Sequence, residues 1–268
     1  GTNHPTVAIQ LNNLAQLFMV MHRFAEAEPL MRRSILINEA HYGIKHPKVA
    51  LNRLNLAQLL QLTNRPTEAE ALVCRALEIL IASYGENHPE VALALNNLAD
   101  LLAETNRLEE AESTIRRALA IDESVFGEFH SSIAIDLGNL ASILQRSNRL
   151  AEAEASLSRA LAIDEVCYGY DHPKVAIRLN HLAGVFMASG RLAEAEPLAR
   201  QTALIMLRQS KRVGDVLPNL IVCLGNYAGV LHAWKGPDPV MVTISALGVE
   251  AGFTEEELAA LLAGNFHS

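Results

Sequence analysis

The sequence predicts an all-α protein, an α-solenoid of stacked antiparallel helix hairpins. Three observations carry that expectation: a 42-residue stride through most of the chain, apolar residues at three- and four-residue steps inside each stride, and few aromatics. Hydrophobic residues fill 50% of the 268 positions and aromatic ones only 5%, which supplies core surface while favouring helix over sheet.

The stride is visible in single residues. His4, His46, His88, His130 and His172 follow one another at intervals of 42, and all but His130 precede a proline (Pro5, Pro47, Pro89, Pro173). Gly43, Gly85, Gly127 and Gly169 keep the same step, as do Arg23, Arg65, Arg107, Arg149 and Arg191. So do Ala27, Ala69, Ala111, Ala153 and Ala195, flanked by glutamates as in Glu26-Ala27-Glu28 and Glu152-Ala153-Glu154.

Each unit reads as two helices. In the third unit Val91, Leu95, Leu98 and Leu102 mark one apolar face, and Ala111, Ile115, Ala118, Leu119 and Ile121 mark the next, with Thr105-Asn106-Arg107 as the turn between them. His-Pro opens the first helix, because proline at the first helical position needs no N–H partner. Tyr84-Gly85 or Phe126-Gly127 closes the second, with glycine expected in the left-handed conformation. Ala15, Ala57, Ala99, Ala141 and Ala183, together with the Ala27 series, let paired helices approach closely. Leu14, Leu56, Leu98, Leu140 and Leu182 are then expected to fill the space between hairpins. The repeated histidines stand one per hairpin, too far apart to share an ion, and are assigned turn or cap duty.

The pattern Leu95-x-x-Leu98-Ala99-x-x-Leu102, followed by Ala111-x-x-x-Ile115 and Ala118, resembles the tetratricopeptide signature. With the His-Pro entry, Leu-Asn-Asn-Leu-Ala (Leu11 to Ala15, Leu95 to Ala99) and Arg-x-x-Glu-Ala-Glu (Arg23 to Glu28, Arg191 to Glu196), it looks like the kinesin-light-chain type. That resemblance implies a right-handed superhelix whose first helices line a concave, partner-binding face.

Residues 1–213 are read as five repeats, at about 4–45, 46–87, 88–129, 130–171 and 172–213. Residues 214–268 are read as a degenerate sixth repeat and a C-terminal capping helix. Leu179 and Leu224 are 45 apart, three more than the stride. The sixth repeat has a helix entered near Pro218. A loop with a short irregular helix is expected over 236–252. Thr254 to Glu257 forms a capping box before a last helix that stops at Gly264. The first repeat carries no capping helix, so either the chain is a fragment or its first hairpin packs on another copy, a possible homo-oligomer.

The resemblance places ligand-facing residues at recurring first-helix positions. They are Asn12, Gln16 and Met19; Leu54, Gln58 and Gln61; Asn96, Asp100 and Glu104; Ser142, Gln145 and Arg146; Asn180 and Met187. This set is amide-rich, and Asn and Gln can bond the backbone of an extended peptide without reading its sequence. Gly138 and Gly184 open room there for a large apolar residue. Asn13, Asn55, Asn97, Asn139 and Asn226 recur beside the set and suggest a hydrogen bond between helices.

The expected function is therefore a protein-protein interaction module that holds an extended peptide, with a structural or self-associating array inside a larger signalling protein as the alternative. A net charge of −8 and no basic stripe speak against nucleic acid. No apolar run approaches the roughly 18 residues that span a bilayer and no signal segment is seen, so a cytoplasmic location is expected. Cys74, Cys167 and Cys223 share no metal or disulfide spacing, and phosphate-loop, zinc-protease and nucleophile-elbow motifs are missing. Neither a cofactor nor catalysis is expected.

Overall fold

Every hairpin is opened and turned by short-range hydrogen bonds that repeat with the stride. The computed structural model describes residues 4–217, 219–236 and 240–262. Five hairpins are formed by α1 (Pro5–Val20) with α2 (Phe24–Tyr42), α3 (Pro47–Leu62) with α4 (Pro66–Tyr84), α5 (Pro89–Glu104) with α6 (Leu108–Phe126), α7 (Ser131–Arg146) with α8 (Leu150–Tyr168), and α9 (Pro173–Ala188) with α10 (Leu192–Val213). Three helices follow: α11 (Leu220–Lys235), α12 (Val240–Glu250) and α13 (Glu255–Leu262). The chain divides into two compact units, Gly1–Glu128 and Phe129–Ser268. In the first, α2 packs on α3 and α4 on α5; in the second, α8 packs on α9, α10 on α11, and α12 against α10, α11 and α13.

The first helix of each hairpin starts on the same cap. Nδ1 of His4, His46, His88, His130 and His172 accepts a bond from the backbone N–H two residues on, at 3.1–3.3 Å. Tyr42, Tyr84 and Tyr168, which end the preceding second helices, stack on His46, His88 and His172 with ring centroids 4.2–4.8 Å apart.

The same helices end in a six-to-one bond. The N–H groups of Arg23, Arg65, Arg107, Arg149 and Arg191 donate to carbonyls five residues back at 2.8–2.9 Å. That closure puts the residue before each arginine, namely His22, Asn64, Asn106, Asn148 and Gly190, at φ between 56 and 73°. The glycines that end the second helices behave differently from the left-handed expectation. Gly43, Gly85, Gly127 and Gly169 have positive φ, but ψ of 156, 173, −173 and 160°. They occupy the extended mirror region essentially restricted to glycine, which ends each second helix three residues before the next histidine.

Ala15, Ala57, Ala99, Ala141 and Ala183 are buried, as is the Ala27 series. A third small row, Ala8, Ala50, Ala92, Ala134 and Ala176, is buried too. Beneath its ends, Ser34 Oγ donates to the Ala8 carbonyl (2.7 Å) and Thr202 Oγ1 to that of Ala176 (3.2 Å). Leu56, Leu140 and Leu182 are core, whereas Leu14 is 41% exposed and Leu98 half-buried, so the expectation for this leucine column is corrected at two positions.

The arginines after the turn do more than pair within their own helix. Arg23, Arg65, Arg107, Arg149 and Arg191 hold the glutamate three residues on at 2.6–2.8 Å. Arg65, Arg107 and Arg191 also reach the second glutamate of the preceding Glu-x-Glu, at Glu28 (2.9 Å), Glu70 (2.7 Å) and Glu154 (2.5 Å). Each of these guanidiniums therefore fastens two successive second helices.

The extra three residues before Leu224 lie in α10, which has 22 residues where the other second helices have 19. Pro218 and Gly264 lie outside the described residues, and α11 begins after Asn219 at φ 71°. Where a loop with an irregular helix was expected, Val240–Glu250 is a regular helix of 11 residues. Its Gly248 lies against Leu258 of α13, since a Cβ there would stand 2.5 Å from Leu258 Cδ2. The capping box forms reciprocally: the Thr254 N–H donates to Glu257 Oε2 (2.7 Å), and the Glu257 N–H to Thr254 Oγ1 (3.2 Å).

Candidate functional site

In the first unit the amides of the first helices are partly used by the stack itself. Asn55 Nδ2 of α3 donates to Asn12 Oδ1 of α1 at 3.1 Å, the interhelical bond expected of the Asn13 series. Leu54 and Asn96, assigned to the groove, are 3% and 9% exposed, which removes them from its accessible surface. Gln61 Nε2 donates to Glu104 Oε1 at 2.7 Å, joining α3 to α5. Gln16 and Gln58 remain exposed, and Met19 is half-buried. Asp100 is half-buried, and burial, then the charge of Glu104, pushes its carboxyl up to about 6.

In the second unit Ser142, Gln145 and Arg146 are exposed on α7, and Asn180 and Met187 are half-buried on α9. Asn226 Nδ2 of α11 donates to Asn180 Oδ1 at 3.0 Å, repeating the bond between Asn55 and Asn12. A cavity of about 250 Å³ is lined by Gln145, Asn180, Gly184, Met187 and Asn226, with His181 in the place where most first helices carry asparagine. Nothing lies within 4 Å of a Cβ built on Gly184, so this glycine does leave open space.

Gly138 does not. A Cβ there would meet Arg178 Nη1 at 1.9 Å, because the guanidinium of α9 occupies the space beside this glycine of α7. Arg178 Nε donates to Asp164 Oδ2 of α8 at 3.0 Å, with both side chains buried. The pocket expected at Gly138 is thus filled by a buried ion pair. The arginine stands where the other first helices have Gln10, Asn52, Ala94 and Asp136, a column that varies along the stride, so the sequence held no signal for this pair.

Cys74 is half-buried and Cys167 exposed, while Cys223 is buried; all three are free thiols. Burial first, then Glu70 and Glu78, raises the Cys74 thiol, the direction opposite to that of an activated nucleophile. Among the described residues no group of three His, Cys, Asp or Glu side chains is placed to hold a metal ion. No described helix is long and apolar enough to cross a membrane.

Paired helices with small residues at their crossings, histidine-capped starts and amide-bearing first helices define a helical-hairpin repeat protein. The chain belongs to the tetratricopeptide repeat family, whose profile matches residues 6–82, 68–124 and 131–208. Among solved structures it is similar to the kinesin light chain nearly identical TPR-like repeats of Podosopora anserina. They share 23% identity at a TM-score of 0.63, with 78% of this chain and 98% of that one covered. BtubC (BKLC) of P. vanneervenii is similar at 24% identity and a TM-score of 0.66, with 80% and 84% covered. PilW, a type IV pilus biogenesis factor, is similar at 20% identity and a TM-score of 0.61, with 95% and 98% covered. At these identities the likeness concerns the fold alone. No curated protein matches the sequence.

Proposed function

We propose that this chain binds an extended segment of a partner protein along the first-helix surfaces of its hairpins and carries no catalytic activity of its own. Tetratricopeptide repeats are protein-interaction modules, and this family membership gives the general class. The finer reading rests on one observation: Gln145, Asn180 and Met187, three recurring first-helix positions, line one cavity that Gly184 leaves open. A large apolar side chain would enter beside Gly184, while the amide of Gln145 bonds the backbone on either side of it. In the first unit Gln16 and Gln58 provide the open amides. Affinity of order micromolar is expected for such a segment. The net charge of −8 disfavours nucleic acid, and the three free thiols accord with a reducing, cytoplasmic setting.

Gly184→Met tests this reading. The substitution fills the cavity and improves helix propensity, so peptide binding should fall at least about tenfold while helicity and melting temperature hold or rise. A variant that binds every selected peptide as well as the parent would remove the groove from consideration.

Self-association has its own support, in Leu14 and Leu17 of α1, which are 41% and 54% exposed where Leu56 and Leu59 of α3 are 1% and 0%. Sedimentation that stays monomeric across a wide concentration range would dispose of it.

A further inference from the structure

A second binding surface emerges when the first unit is compared with itself one stride along. In the third repeat Arg117 of α6 pairs with Glu86, in the segment ahead of α5, at 3.4 Å. One stride earlier the arginine is kept as Arg75 of α4, but the acid is replaced by Ile44. Arg75 makes no hydrogen bond or ion pair among the described residues, and neither does Lys45 beside Ile44.

The same hairpins carry another departure. Arg53 of α3 stands in a column otherwise filled by Leu11, Leu95, Leu137 and Leu179, and it is held by Glu39 of α2 at 2.8 Å with only 13% of its side chain exposed. Both changed positions line a cavity of about 430 Å³. Ile44, Ile79 and Ala82 give it an apolar part, and Lys45, Arg53 and Arg75 a cationic one, against the single acid Glu78. A second cavity of about 280 Å³ shares Arg53 and Arg75 and continues over Leu36 and Leu72. Ile44 and Leu36 are both more than 60% exposed.

We infer that this surface binds an acidic peptide segment in which a carboxylate lies next to an aliphatic residue. The carboxylate takes the place of the missing acid, between Arg75 and Lys45, and the aliphatic side chain lies on Ile44 and Ile79. Charge complementarity selects this occupant: two uncommitted cations meet apolar surface on a chain whose net charge is −8. The two cavities, which share Arg53 and Arg75, suit a peptide rather than a small free anion, which would leave the apolar part uncovered. None of these residues belongs to the first-helix groove, so the two surfaces are independent.

The experiment uses the full chain and a positional-scanning library of acetylated nonapeptides that offers acidic, amide, basic and aliphatic residues at each position, read by fluorescence competition. Peptides with Asp or Glu within two residues of Leu or Ile should be selected, and their Gln counterparts should bind at least about tenfold more weakly. Ile44→Glu should restore the internal pair seen at Glu86 and Arg117, leave helicity unchanged and reduce binding by a similar factor. Arg75→Gln serves as the second variant. Gly184→Met should leave these peptides bound within about twofold, which separates this surface from the groove. Three outcomes overturn the inference: no selection for acid beside aliphatic, equal binding by Ile44→Glu and Arg75→Gln, or loss of binding in Gly184→Met alone.

Discussion

Asp100 shows how a column changes meaning with its neighbours. The first helices carry Gln16, Gln58, Asp100, Ser142 and Gly184 at one position, and only the aspartate is ionisable. Half-buried beside Glu104, its carboxyl is raised to about 6. A folded value above the unfolded one near 4 means that its stabilising contribution is complete below about pH 4 and lost as pH rises through about 6. Asp100→Asn is therefore expected to raise stability near pH 7 by about 1–2 kcal/mol and to change little near pH 4. Urea midpoints at the two pH values check this, and an equal effect at both would contradict it. The residue type was legible in the sequence. Its titration was not, because burial and the Glu104 charge come from packing. The histidine caps were legible as capping residues, since their acceptor and donor are two residues apart, whereas the αL site at His22 became visible only once Asn64, Asn106, Asn148 and Gly190 were seen to share its backbone conformation.

Between elements, the interactions that decide the site run across one stride. Asn12 and Asn180 looked like open amides, and each accepts from an asparagine 43 or 46 residues further on. Arg65, Arg107 and Arg191 each bond a glutamate three residues on, and each also holds a glutamate 37 residues back. Gly138 looked like an opening and is occupied by Arg178. Gly138→Ala should therefore destabilise the second unit by about 1–3 kcal/mol, although alanine is the better helix former, because the buried guanidinium must leave its place beside Asp164. In an Arg178→Ala background the same substitution should be neutral or stabilising. A double-mutant cycle by urea denaturation measures the difference, and additivity of the two changes would show that the arginine and the glycine are unrelated.

Across the whole molecule, repetition makes one residue's value depend on its place in the row. Leu17 and Leu59 occupy the same position in α1 and α3, yet they are 54% and 0% exposed. Leu59→Ala is expected to cost about 2–5 kcal/mol and Leu17→Ala less than about 1 kcal/mol, by thermal or urea unfolding. Similar losses at both would mean that α1 is covered in solution, as self-association requires. Family, the turns within hairpins and the histidine starts were written in the chain, because periodicity, Pro at a helix start and a polar turn act over a few neighbouring residues, whereas the backbone of the closing glycines and the regular helix Val240–Glu250 were not. Which leucines are core, which amides stay open and where Arg75 and Lys45 stand without an acid were decided in three dimensions. Those properties depend on side chains a full stride away, and a pattern that repeats along the chain does not say which of its copies a neighbour has already engaged.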